Sequence, residues 1–509
     1  MGYRGKRSNN ANELNLSVGT VLDKAPTGVR GLDEILHGGL PCGRCTIVSG
    51  GPGTGKSVLG LEFLAFGAQN GIPGIFVAFE ERAEAVRENA MTLGIDLRAL
   101  EKSGCFFILD ARTDPEAVVS GDFDLKGMLA IIGGKAAKMG ARQIVFDAMD
   151  VLLKLYDDPM LERKELYLLH NWLLDHQFTT LITAKNEDYP QLGHSFLGHS
   201  FMDFMMDCVI FMNSKQRDQV TTRRIRVVKY RGSSYSSNEH PFIFKNGLRV
   251  IPLSSVLLAR APLPQHMTTG SGELDAMLNG GYMRSASIII AGQSGTGKTT
   301  AACMFAKCAC ARREKVLFVS YEESQEEILT NMLSPGIDLK PAVKAGTLRF
   351  MNIMPESRAA DEHLVNTIDA IEEFQPEHVV LDAISACKRM GTTQTAFEFV
   401  TRIINACKAR GITLMLVNQF DRSEGSSGDI SGIGISSLID TTVLMQYKRT
   451  EKETRRIIEI VKSRGSMHSN EIRDYFISER GLEIDGNLHG KGKPPVGGGA
   501  VPRAKGGEK

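Results

Sequence analysis

Two stretches of this sequence have the residue types and spacing to hold the phosphates of a nucleotide. The first comprises Gly50, Gly51, Pro52, Gly53, Thr54, Gly55, Lys56, Ser57 and Val58; the second comprises Gly292, Gln293, Ser294, Gly295, Thr296, Gly297, Lys298, Thr299 and Thr300. Both read G-x-x-x-x-G-K-[S/T], and each lies between an apolar run (TIVS, SIIIA) and a helical stretch. That is the setting of a P-loop. The glycines let backbone N–H groups curl around phosphate oxygens, and the following helix offers its positive end. Lysine adds a point charge at the β/γ-phosphates, and the hydroxyl of Ser57 or Thr299 suits Mg²⁺. A chance glycine-rich turn would not recur twice in the same setting, so ATP and Mg²⁺ are the expected ligands.

Such chemistry needs an acid on the metal side at the end of an apolar strand. Asp147 in QIVFD and Asp382 in HVVLD fit, although an aspartate there can also cap a helix. The pairs Glu80-Glu81 and Glu322-Glu323 follow GIFVAF and VLFVSY. A glutamate there can orient or deprotonate an attacking hydroxyl or water; the plainer reading is a solvated helix start. Spacing does not say which member of each pair is the base. Lys229 and Arg231 in VVKYRG, and Lys462 and Arg464 in IVKSRG, share a face by strand alternation. A basic pair after the last core strand does not easily reach its own P-loop. We therefore expect it to serve a neighbouring subunit's nucleotide, as an arginine finger does, against the alternative of a surface salt-bridge strand.

The elements that position these residues come in duplicate. Thr27 and Thr269, Lys56 and Lys298, and Glu80 and Glu322 are each 242 residues apart; Lys229 and Lys462 are 233 apart. The chain is a tandem duplication with a small net deletion in the second copy. Expected boundaries are a disordered arm at 1–16, a first ATPase domain at 17–250, a linker at 251–266, a second domain at 267–485, and a disordered Gly/Pro/Lys tail at 486–509. In each copy, short continuous apolar runs alternate with amphipathic stretches. That predicts an α/β fold: a mostly parallel sheet covered by helices on both faces, with ligand at the carboxyl ends of its strands.

The 509 residues carry 60 Lys and Arg against 59 Asp and Glu, with 42% hydrophobic and 23% charged residues. This is a globular composition. A net charge of +1 argues against a dedicated nucleic-acid or membrane-surface protein. No apolar run reaches membrane-spanning length and the polar start is no secretory signal, so a cytoplasmic location is expected. The nine scattered cysteines read as reduced core thiols, and Cys42-x-x-Cys45 as an ordinary turn before a strand.

Together, the loops GPGTGKS and SGTGKT, the FEE and YEES boxes and the paired KxRG boxes resemble the KaiC family over roughly residues 20–485. These are double-domain RecA-like ATPases of the cyanobacterial circadian clock, with homologues elsewhere. The resemblance implies a homohexamer of two stacked rings with ATP at subunit interfaces, and a KaiB-like or other signalling partner. It implies a first domain that hydrolyses ATP and a second that acts as a serine/threonine autokinase across the interface. The family's phosphorylated pair falls on Ser436 and Ser437 in GIGISSLID, and a third nearby hydroxyl falls on Ser431. The 233-residue offset puts Asp203 and Phe204 opposite the serine pair, so the hydroxyls exist only in the second copy. The family's clock members have threonine at the second position and a longer amphipathic stretch beyond ISERGLEID, where this chain is polar and glycine-rich.

Two other readings compete. One is a ring-forming switch that binds ATP and changes partner affinity with little phosphorylation. The other is a DNA-handling RecA-like motor, disfavoured by the neutral charge and by the absence of an aromatic-basic binding loop.

Overall fold

The computed structural model describes residues 22–112, 124–154, 156, 158–185, 200–217, 220–252, 263–420, 430–450 and 453–485. The expected terminal arm and tail, and most of the expected linker, lie outside these residues. The chain divides into two compact units, Met1–Ser255 and Val256–Lys509.

The first unit is built on nine strands: β1 (Cys45–Gly50), β2 (Gly74–Ala78), β3 (Phe106–Asp110), β4 (Gln143–Asp147), β5 (Thr179–Lys185), β6 (Cys208–Arg217), β7 (Val220–Tyr230), β8 (Glu239–Phe244) and β9 (Leu248–Val250). Their order in the sheet is β9-β8-β7-β6-β1-β5-β4-β2-β3. The six from β6 to β3 run parallel, and β7 to β9 add on antiparallel.

The second unit repeats this with β10 (Ser287–Gly292), β11 (Val316–Ser320), β12 (Leu348–Asn352), β13 (His378–Asp382), β14 (Thr413–Gln419), β15 (Thr441–Arg449), β16 (Thr454–Ser463), β17 (Arg473–Ser478) and β18 (Gly481–Ile484). The order β12-β11-β13-β14-β10-β15-β16-β17-β18 is that of the first unit. Leu263–Met267, at the end of the expected linker, forms a strand paired with Tyr282–Arg284.

The apolar runs are continuous because both faces of each sheet are covered. In β1, Val48 packs with Leu59, Phe63 and Phe76 on one face, while Ile47 packs with Leu129, Phe146 and Leu166 on the other. Helix α1 (Lys56–Gln69) lies on the first face; α2 (Ala83–Thr92) follows β2; α3 (Leu125–Met139) and α4 (Pro159–Asp175) cover the second face. In the second unit, α5 (Lys298–Ala311) and α6 (Gln325–Asn331) take the places of α1 and α2. No helix among the described residues is long and apolar enough to cross a membrane. The basic stretches around Arg224 and Arg456 form the antiparallel ribbons β6–β7 and β15–β16.

Candidate active sites

Each phosphate loop leaves the carboxyl end of a central strand and enters a helix. Gly55 and Gly297 stand at φ 93, where glycine is favoured. A Cβ on Gly55 would lie 2.3 Å from the Phe244 ring, and one on Gly297 would lie 2.5 Å from Ile477. Both conformation and space therefore require glycine at these turns. The loops are tied internally: Thr54 Oγ1 donates to the Gly51 carbonyl at 2.9 Å, and Thr296 Oγ1 to the Gln293 carbonyl at 2.8 Å. Lys56 Nζ donates to the carbonyls of Gly50 and Gly51, both at 2.8 Å, and Lys298 Nζ to that of Gln293 at 2.8 Å. Burial pushes the Lys56 ammonium down, opposed by the nearby Asp150 and Asp147.

Asp147 ends β4 and Asp382 ends β13, both buried. Neither caps a helix. The helix Met149–Leu153 has Ala148 at its N-cap, and a 3₁₀ turn follows Asp382. Instead, Thr183 Oγ1 donates to Asp147 Oδ1 at 2.7 Å, and the Ser57 hydroxyl hydrogen-bonds the same carboxyl. Thr299 does likewise for Asp382. Burial raises both acids, Asp382 to about 7, against the hydrogen bond from Thr299 and with Glu323 and Glu322 adding repulsion. A hydroxyl beside a buried carboxylate is a hard-oxygen pair, and a divalent cation would restore the charged form. These residues fit Mg²⁺ held together with phosphate oxygens. Among the described residues no group of three or more His, Cys, Asp or Glu could hold a metal unaided. Cys42 lies in a turn and Cys45 opens β1, buried with its thiol pushed up to about 12, so the CxxC spans the expected turn before a strand.

The glutamate pairs precede their helices: α2 begins at Ala83 and α6 at Gln325. They are not first-turn acids. Glu81 Oε2 accepts from Asn89 Nδ2 at 2.9 Å, and Glu323 Oε2 from Asn331 Nδ2 at 3.2 Å. The two asparagines share the 242-residue offset, a signal that sequence reading passed over. Glu81 lines a cavity of about 250 Å³ with Ser57, Asn89 and Asp147. Glu322 and Glu323 line a larger cleft of about 640 Å³ with Tyr321, Asn352 and Arg389. Glu80 forms an ion pair with Lys185 at 2.7 Å.

The basic pairs and the serines sit elsewhere. β7 runs antiparallel to β6, so Lys229 and Arg231 reach the amino ends of the core strands, where Arg231 N–H donates to the Asp207 carbonyl just before β6. Arg464 repeats this bond to Asp440. A six-residue strand separates each pair from its own phosphate loop, a span of roughly 15–20 Å. Lys229 Nζ donates to the carbonyls of Asp203 and Phe204, and Arg231 to those of Phe204 and Met205. Ser436 and Ser437 are exposed in a 3₁₀ turn, Ser436–Leu438, before β15. They too lie at the end of the sheet away from their own loop. Ser431 is buried, its Oγ accepting from Ile435 N–H at 3.0 Å.

The sequence model of a family described as "ATPase: KaiC" matches residues 25–255 and 267–489. The chain is 35% identical over 476 residues to circadian clock protein KaiC2 of Synechocystis sp., covering 93% of this chain and 83% of that protein. It is 34% identical to the circadian clock oscillator protein KaiC of Thermostichus vulcanus, covering 91% and 89%. Against KaiC3 of Synechocystis sp. the identity is 32%, covering 91% and 92%. Two matched repeats, each with a phosphate loop, a buried strand-end acid and a glutamate pair, make the chain a member of the KaiC ATPase family.

Proposed function

We propose that this chain is an ATP-hydrolysing autokinase. The first unit hydrolyses ATP; the second transfers the γ-phosphoryl group to Ser436 or Ser437 of a neighbouring copy in a homohexamer. The observation that carries this reading is the separation within the second unit. The exposed serines and Lys462 lie at the amino end of the strands, while Lys298, Asp382 and Glu322 gather at the carboxyl end. A chain cannot bring its own serines to its own loop without breaking the sheet, whereas a neighbour in a ring can present them. The first copy has Asp203 and Phe204 at the matching positions, so it has no acceptor and is left with water.

In this reading Glu322 takes the proton of the serine hydroxyl as its oxygen attacks the γ-phosphorus and the bond to the β-phosphate oxygen breaks. Glu80 does the same for water in the first unit. Glu81 and Glu323, anchored by asparagines, set the shape of the metal corner. Mg²⁺ held by Ser57 and Asp147, or by Thr299 and Asp382, would neutralise the phosphate charge. Lys298 holds the charge left on ADP. Lys229, Arg231, Lys462 and Arg464 complete a neighbour's site. A clock role and a KaiB-like partner rest on the likeness to proteins named for the circadian clock.

The test is intact-mass spectrometry and phosphopeptide mapping after incubation with MgATP. Label on Ser436 or Ser437 is expected, and its loss in Glu322→Gln. Absence of label on both serines in the unaltered chain overturns the kinase reading.

A further inference from the structure

Lys185 belongs to no phosphate-loop motif, yet it ends β5 directly opposite Gly50, the first loop glycine on the adjacent parallel strand. Its Nζ lies 2.7 Å from Glu80 Oε1. Its backbone N–H donates to Asp150 Oδ1 at 2.9 Å, and Asp150 is only 1% exposed, so the strand end is fixed. Lys56 Nζ donates to the carbonyl of Gly50, the residue Lys185 faces across the sheet. Both lysines are thus placed at Gly50, the first glycine of the phosphate loop, and one of them already holds the candidate base.

The second unit keeps the backbone arrangement and drops the charge. Gln419 stands opposite Gly292, and its N–H donates to the Ser385 hydroxyl at 3.4 Å, where the first unit has Asp150. Among the described residues Glu322 has no ion pair corresponding to Glu80–Lys185.

We propose that Lys185 is a positioning residue that reports the γ-phosphate to Glu80. Without that group, the ammonium pairs with Glu80. With ATP bound, it moves to the γ-phosphate oxygens and frees Glu80 to take a proton from water. The side chains of the pair are 30% and 49% exposed, and such pairs are weakly held. A phosphate group carries more negative charge and more acceptor oxygens than a single carboxylate, so the exchange runs toward ATP. ADP lacks the receiving group and leaves the pair intact. This inference rests on the ATP-site reading above and adds a sensing function confined to the first unit.

The test uses the full chain with Lys298→Ala to silence the second loop. Calorimetry compares Mg-ADP with the Mg²⁺ complex of a non-hydrolysable β,γ-imido ATP analogue, with Lys185 present or replaced by Gln. The ratio of analogue to ADP affinity should fall about tenfold in Lys185→Gln, the scale of one charge-assisted hydrogen bond. ADP affinity should stay within about twofold, and Lys185→Arg should preserve the ratio. If the glutamine variant misfolds, Lys185→Met serves in its place. An unchanged ratio overturns the inference while leaving the ATP site standing. If the parent binds neither nucleotide, the ATP-site reading itself is overturned, and the inference falls with it.

Discussion

Lys462 donates its ammonium to the main-chain carbonyl of Ser436 at 2.8 Å, and Lys229 makes the matching bond to Asp203 at 2.7 Å. In both units a basic strand end therefore clamps the short segment before the last parallel strand, a helix (Ser200–Met205) in the first unit and a 3₁₀ turn (Ser436–Leu438) in the second. In the second unit that turn carries the exposed serines. The hydrogen bond ties Lys462 to the serine-bearing turn, so in the proposed ring a neighbour that receives one would receive the other.

Lys462→Ala removes this hydrogen bond and, in the proposed autokinase ring, a charge from the neighbour's site. The initial rate of Ser436 labelling by MgATP should fall about tenfold or more. Quantitative phosphopeptide mapping over time reads this directly. An undiminished rate would show that the clamp has no part in transfer.

The two loops should bind nucleotide independently. Lys56→Ala or Lys298→Ala removes a phosphate-facing charge and should weaken the affected site about 10- to 100-fold. Calorimetry with Mg-ADP should show stoichiometry falling from two per chain to one with either variant.

Asn89 and Asn331 hold the second glutamate of each pair. Asn89→Ala, placed in a Lys298→Ala chain, should lower the first unit's kcat for ATP hydrolysis about 3- to 30-fold with little change in KM, because ground-state contacts to the nucleotide remain. Steady-state phosphate release measures both constants.

Glu314 tests the framework. Its carboxylate meets Arg284, Arg312 at 2.9 Å and the Nε2 of buried His378 at 2.9 Å. Hydrogen bonds from Arg312, Arg284 and His378 outweigh burial and hold it down to about 2. A depressed carboxyl stabilises the fold above its unfolded value near 4.5, and that contribution is lost as pH falls toward 2. Glu314→Gln should therefore cost about 1–3 kcal/mol at pH 7 and progressively less below pH 4.5, followed by urea unfolding.

The sequence by itself determined the duplication, both phosphate loops, the strand-end acids, the glutamate pairs and the parallel α/β class. All of these are written in contiguous residues: a glycine spacing, a short apolar run, a constant offset. Periodicity and turn chemistry act over a few residues, so they survive reading one position at a time. The order of the strands was not written that way. Glu80 and Lys185 are 105 residues apart and meet because β5 inserts between β1 and β4. Asp150 and Asn89 gained their meaning only when a strand end and a helix were brought to the same corner. The place of the basic pairs in the chain already predicts that they miss their own loops, but it is the antiparallel return of β7 and β16 that puts them at the amino ends of the core strands. Such placements are set by long-range sheet pairing and the burial of both sheet faces, which no local pattern specifies.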